Sequence, residues 1–348
     1  MYLPIVLRER YGWWGVVVFA VPNVAGVMLF GWGVWSRAAS AAMVDRHRVM
    51  MLWFSAITVA FHGWFFGWFW WAEMEIHPAW SILIGLAMLF FARVCMGLGD
   101  RALVWISGVV YGISVAVLVV TVVSGWGVLT GEANSPRVAM WESAGAGRWV
   151  FLIPVMCAGF LFCPYFDLTF HRTYQATGGG EAGWMTFVMF GFFFAIMLAL
   201  TAVYSVTGFS RWVVVHLVLQ GWLTTTLHMR EMVRWTRPFN EAARLRRMLR
   251  VPFVLVFLAP MVFIDYRDWF VFYGLVFPVY GMLRGLRVWA GRRESDSATI
   301  SLYVFGSVPF GIAGFLAGHE WALVLPPIVV AIVALWGGGR RVLKAEDA

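Results

Sequence analysis

The chain is 348 residues long, 61% hydrophobic and 13% charged, with a mean hydropathy of +0.78. Globular domains in water carry about 25% charged residues, so this composition excludes them as a class. The formal net charge of +8 comes almost wholly from arginine, Lys344 being the only lysine; on so apolar a chain it points to membrane topology and anionic headgroups, not to nucleic acid.

Apolar runs of about 18 residues or more recur from end to end, which predicts an all-α fold, a polytopic transmembrane helix bundle. The runs do not alternate polar with apolar residues as barrel strands do. The first is too long for the core of a cleaved leader, and no small-residue cleavage site ends it. Cys95, Cys157 and Cys163 have no metal-ligand spacing and read as packing residues. About eleven spans follow from the pattern: 13–36, 50–72, 79–98, 102–125, 149–170, 183–207, 211–228, 251–264, 268–288, 299–318 and 320–337. The eighth is short, holds Pro252 and Pro260, and is open to a re-entrant reading. With alternate loops on opposite sides, one side holds Arg8, Arg10, Arg137, Arg148, Arg211 and Arg267, and the other holds the rest of the 26 basic residues. The positive-inside rule then gives an outside N-terminus and a cytoplasmic C-terminus in a bacterial-type inner membrane.

In the first span, Val21-Pro22-Asn23-Val24-Ala25-Gly26 puts a proline, an amide and a glycine at mid-membrane, which predicts a kinked or broken helix. Broken helices form midplane sites in transporters, so Asn23 is a candidate ion ligand; a kink packed on its neighbours is the plainer alternative. In the second span, Ser55, Thr58 and His62 fall three and four residues apart and share one helix face. An imidazole near mid-span needs a partner, which makes this face a candidate substrate surface, with an interhelical hydrogen bond as the alternative. Trp64, Trp68, Trp70 and Trp71 suit the outer interface. The fourth span carries Ser107, Tyr111 and Ser114 on one face, as polar residues that glue helices together do. The segment 125–148 reads as a surface loop or a short interfacial helix.

The fifth span closes on Cys163-Pro164-Tyr165-Phe166-Asp167-Leu168-Thr169-Phe170-His171. Pro164 has no N–H to donate, which frees the Phe160 carbonyl. Asp167 alone among the 18 carboxylates continues an apolar run. Together with that carbonyl and the Thr169 hydroxyl it would make an oxygen set suited to a hard cation or a proton path. An interfacial aspartate ending a helix, with Arg172 snorkelling beyond it, is the alternative. Gly178-Gly179-Gly180 lacks the lysine and hydroxyl of a phosphate loop. In the seventh span His216, Gln220 and Thr224 stand four apart and form the second polar face of the chain. The basic stretch 229–250 reads as a topology determinant with a short amphipathic helix, 241–249, capped by Asn240. Gly274, Pro278 and Gly281, then Gly306, Pro309, Gly311 and Gly314, mark the ninth and tenth spans as helices that pack closely and can hinge.

The second and seventh spans both carry a polar residue followed by Gly-Trp: His62-Gly63-Trp64 and Gln220-Gly221-Trp222. They stand five spans apart, and an odd offset reverses orientation, as inverted repeats require. The expected organisation is one membrane domain over 1–348: an extra N-terminal helix with its cytoplasmic loop (1–49), a first five-helix repeat (50–207) and a second (208–348). So arranged, the chain resembles the superfamily of five-plus-five secondary transporters, which includes the sodium/solute symporters and the amino acid/polyamine/organocation carriers. Its opening, Leu3-Pro4-Ile5-Val6-Leu7-Arg8-Glu9-Arg10-Tyr11-Gly12, is similar to a symporter segment in which a Leu-Pro start leads to Arg-Tyr-Gly or Arg-Phe-Gly. In that family the segment follows earlier helices; here it opens the chain. The resemblance implies ion-coupled solute uptake by alternating access, with substrate held at breaks in the second and seventh spans.

The functional expectation is therefore an ion-coupled secondary transporter of a small solute. Ser55, Thr58, His62, His216, Gln220 and Thr224 are the candidate substrate contacts. Asp167, Thr169 and Asn23 are the candidate ligands of a coupling Na+ or H+, with no other cofactor; the lipid bilayer and a small solute are the expected partners, and nucleic acid is not. The seven histidines form no di-iron box, and no hydrolase motif is present, so an enzyme is not expected. A membrane-embedded subunit of a larger complex, or a membrane enzyme without a recognisable motif, is the alternative.

Overall fold

The computed structural model describes residues 3–33, 36–134, 147–177, 183–236, 268–289 and 297–336. Among the described residues there is no strand, and the fold is an all-α helical bundle. In chain order the helices are α1 (Leu3–Gly33), α2 (Arg37–Ala72), α3 (Pro78–Cys95), α4 (Asp100–Ser124), α5 (Trp126–Asn134), α6 (Ile153–Phe162), α7 (Leu168–Thr177), α8 (Gly183–Thr207), α9 (Arg211–Thr236), α10 (Asp268–Val271), α11 (Phe277–Trp289), α12 (Ser297–Gly311) and α13 (Leu325–Trp336). Ten of the eleven expected spans fall on helical segments; the eighth, 251–264, lies outside the described residues, as does the amphipathic stretch 241–249. Eight of the described helices are long and apolar enough to cross a membrane, and Glu320–Trp336 is a shorter apolar one.

The surface of α4 shows why the solvent must be lipid. Its buried residues, Leu103, Val110, Ser114, Val117 and Thr121, form a single stripe, and Val104, Trp105, Val109, Val119, Val120 and Val123 are exposed on the other faces. Trp105 is 78% exposed, which in water would anchor an apolar patch far larger than a monomer tolerates. This is a membrane protein.

Three expectations change in detail. The first helix keeps helical dihedrals through Pro22, and the departure from helical geometry is at Gly12, with φ 64° and ψ −161°. A proline costs its helix one hydrogen bond, which a membrane helix can absorb, whereas a left-handed φ needs a residue without Cβ. Residues 37–49, expected as a loop, are the first turns of α2; Ser36 caps them by accepting from the Ala39 amide at 3.0 Å, and His47 (φ −109°, ψ 15°) marks a bend. The fifth span does not continue past Phe166. Helix α6 ends in a 3-10 turn over Cys163–Phe166, and Asp167 then starts α7.

The chain divides into two compact units. The first comprises Met1–Val6, Phe30–Met140 and Phe166–Ile264, and the second Leu7–Leu29, Trp141–Tyr165 and Asp265–Ala348. Helices α8 and α9, on either side of the expected repeat boundary at 207/208, both belong to the first unit.

In the first unit α2 is the central helix, with Met51, Leu52, Phe66 and Phe69 almost fully buried. Its glycines let neighbours approach. A Cβ on Gly85 of α3 would lie 2.8 Å from the Gly63 carbonyl, and one on Gly221 of α9 would overlap the Phe66 ring. The shared Gly-Trp triplets thus have a packing reason: each glycine is a point of close helix contact.

In the second unit α6 lies against α1 and against the segment from α10 to α11. Between α10 and α11 the chain makes a π-helical turn, Phe272–Val276. Pro278 has no N–H for the Gly274 or the Tyr273 carbonyl, and the latter instead accepts from Cys163 Sγ at 3.3 Å. The Phe160 carbonyl, freed by Pro164, is covered by Gly26 of α1, where a Cβ would overlap it. Trp14 stacks on Trp149 at 5.1 Å, Phe19 meets Phe160 edge-on at 4.7 Å, and Tyr165 Oη donates to the Leu29 carbonyl at 3.2 Å.

Candidate functional site

The polar side chains of the first unit meet between α2, α4, α7 and α9. Helices α2 and α9 are continuous where they meet, not unwound as the symporter resemblance implied. They are cross-linked twice. His62 Nδ1 lies 3.0 Å from Thr225 Oγ1, and Ser55 Oγ lies 3.1 Å from His228 Nδ1. A third pair joins α9 to α4, with His216 Nδ1 2.8 Å from Ser114 Oγ. A fourth joins α7 to the start of α2, with His171 Nδ1 2.9 Å from Ser40 Oγ, where Gln175 Nε2 also donates at 2.9 Å.

A hydroxyl has one hydrogen and two lone pairs, and one placement of hydrogens satisfies both pairs. With the Thr225 hydroxyl giving its hydrogen to the Gly221 carbonyl at 2.6 Å, the neutral His62 ring donates from Nδ1. With the Ser114 hydroxyl giving its hydrogen to the Val110 carbonyl at 2.9 Å and accepting from Gln220 Nε2 at 3.0 Å, His216 donates to it from Nδ1 as well. Both neutral rings therefore present Nε2 as a bare lone pair. In His216, a fully buried residue, that atom has no hydrogen-bond partner among the described residues.

Asp167 caps α7. Its carbonyl accepts from the Phe170 and His171 amides, and its Oδ1 accepts from the Thr169 amide at 2.7 Å and the Thr169 hydroxyl at 2.6 Å. The other oxygen, Oδ2, faces His228 Nε2 at 3.8 Å. The aspartate thus begins a helix where either a continuing or an ending position was expected, and the Phe160 carbonyl expected beside it is covered by Gly26.

The remaining expected residues divide as follows. Ser55, His62, His216 and Gln220 are in the hydrogen-bonded set. Thr58 is buried and donates to the Phe54 carbonyl of its own helix at 2.9 Å. Thr224 is half-buried, and its neighbour Thr225 is the one that reaches His62. Asn23 is half-buried on α1 in the second unit. The sequence reading missed His228, Thr225 and Ser40 as partners. His228 had a signal, since it extends the row His216, Gln220, Thr224 by four more residues; the hydroxyl partners had none, because each lies on another helix.

Beyond the apolar stretch 211–228, α9 enters a charged cluster. Asp100 takes Arg172 on one oxygen and Arg230, at 2.5 Å, on the other. Glu231 is buried beside them, and burial pushes its carboxyl above the ordinary range against the pull of Arg234, Arg172 and Arg230.

The second unit holds a different buried carboxylate. Glu320 Oε1 accepts from Arg10 at 2.6 Å and from Tyr11 Oη at 3.0 Å, and Oε2 pairs with Arg148, which also donates to the Gly318 carbonyl at 3.0 Å. Both oxygens are satisfied, so this is a clamp joining α1, the turn Arg148–Leu152 and the turn Glu320–Val324. Glu320→Ala is expected to lower stability by about 2 kcal/mol, below the figure for a fully buried pair because both arginines reach solvent. A thermal melt in detergent measures it, and an unchanged melting temperature would show the clamp to be idle.

Comparison with protein-family models, with curated proteins and with solved structures returns no match. The case for a function rests on these side chains.

Proposed function

We propose that the chain is an ion-coupled secondary transporter of a small solute, and that its coupling ion is the proton. What supports this most is the pair of histidines between the helices of the first unit whose Nδ1–H is spent on a hydroxyl that gives its own hydrogen to a carbonyl. Each ring can take a proton at Nε2 without breaking an existing bond, which suits a proton carrier better than a structural link. A hard cation wants several oxygens, and Oδ1 of Asp167 is already taken by Thr169. The opening segment's likeness to the sodium/solute symporters and the arginine count, with the N-terminus outside a bacterial-type inner membrane, belong to the same reading.

The test uses purified protein in vesicles holding a trapped pH-sensitive dye, with a panel of neutral, zwitterionic and anionic solutes added outside. Solute-dependent proton entry that a protonophore abolishes and a sodium gradient does not replace is the expected outcome. Entry that follows sodium instead would overturn the proton assignment, and no flux with any solute would overturn transport.

A further inference from the structure

Glu320 and Glu231 are equally buried, each 2% exposed, yet their surroundings differ. Glu320 has three donors on its two oxygens. Around Glu231 the arginines turn elsewhere: Arg172 and Arg230 each give an Nη2 hydrogen to Asp100. Arg172 offers Glu231 only its Nε, 3.9 Å from Oε1, which is too far for a hydrogen bond. Oε2 is buried and has no hydrogen-bond partner among the described residues. An ionised carboxylate in that position would have lost its water without gaining donors, and a buried acid in such surroundings holds its proton instead.

We propose that Glu231 is a proton-binding site: a carboxyl that carries a hydrogen on Oε2 at neutral pH, one turn of α9 beyond His228. The groups that act on it are Arg230 and Arg234 on its own helix, Arg172 on α7 and Asp100 on α4. Release of the proton breaks the Oε2–H bond and leaves the electron pair on the carboxylate, and the proton passes to water at the charged end of α9. Arg172 Nε is already placed to meet the charge left behind. The reverse step reloads the acid. That the acid feeds the histidine row rests on the transport reading above; that it is protonated does not.

Infrared spectra of the protein in lipid nanodiscs at neutral pH, in light and heavy water, test the site. The wild type is expected to show a deuterium-sensitive carboxylic-acid carbonyl band that is lost in Glu231→Gln, moved in Glu231→Asp and kept in Glu320→Gln. A wild type without such a band, or the same band in Glu231→Gln, would overturn the proposal. Should Glu231→Gln fail to fold, Glu231→Asp decides the matter alone: a shifted band upholds the site, and an unmoved one removes it. Proton flux in vesicles separates the two readings. A missing band with intact proton coupling sinks this inference alone, whereas a band without solute-driven flux sinks only the transport reading.

Discussion

Gly26→Val is expected to destabilise the second unit by about 3 kcal/mol or more, enough to cost most of the folded yield. The position sits where α1 crosses α6, and a Cβ there would overlap the Phe160 carbonyl, with the Phe160 carbonyl carbon and the Leu161 Cα close behind. All three atoms are backbone, so no side-chain rotation makes room. Nor can the carbonyl turn inward to a helical partner, because the residue four positions on is Pro164. The natural arrangement instead brings the two backbones together, a contact that suits a carbonyl near a glycine Cα. Gly306→Val on α12 is the control, since nothing lies within 4 Å of the added atom there. Thermal melts of the two variants in the same detergent should differ widely. Equal melting temperatures would mean that α1 slides past α6 without cost.

Under the proposed transport function, Asp167→Asn has the largest expected effect. An asparagine keeps the oxygen that accepts from Thr169 and is as good a helix cap, so α7 should form as before. What it loses is the negative charge facing His228 Nε2 at 3.8 Å. A charged imidazole buried without that partner is disfavoured, so if the proposed proton coupling runs by way of His228 it should stop. Solute-driven proton flux is then expected to fall to the level of protein-free vesicles while the melting temperature holds. Flux at the wild-type rate would reduce Asp167 to a cap.

The helices and the polar faces were legible because both are periodic signals along one segment. Ser55 with His62, and His216 with Gln220, stand in the hydrogen-bonded set that their spacing singled out. Their partners were hidden because spacing along one helix does not tell which helix faces it: the four-residue spacing picks Thr224, yet its neighbour Thr225 is the one that reaches His62. Glu320 and Glu231 were passed over for a related reason. An acid near the end of an apolar run reads as solvated until the arginines around it are seen. The break in α1 was looked for at Pro22 because proline is the stronger disruptor by propensity, but the backbone turned at Gly12, where a left-handed conformation is free of steric cost.

The histidine row is unevenly matched in counter-charge. A proton on His228 lies beside the carboxylate of Asp167, while the partner of His216 is the neutral Ser114, which in turn accepts from the neutral Gln220. Positive charge at His216 is therefore short-lived unless something negative arrives with it. A solute bearing a carboxylate would supply that match, so loading by proton and loading by an anionic substrate would each favour the other, and an uncharged analogue of the same shape would not gain affinity as the medium became more acidic.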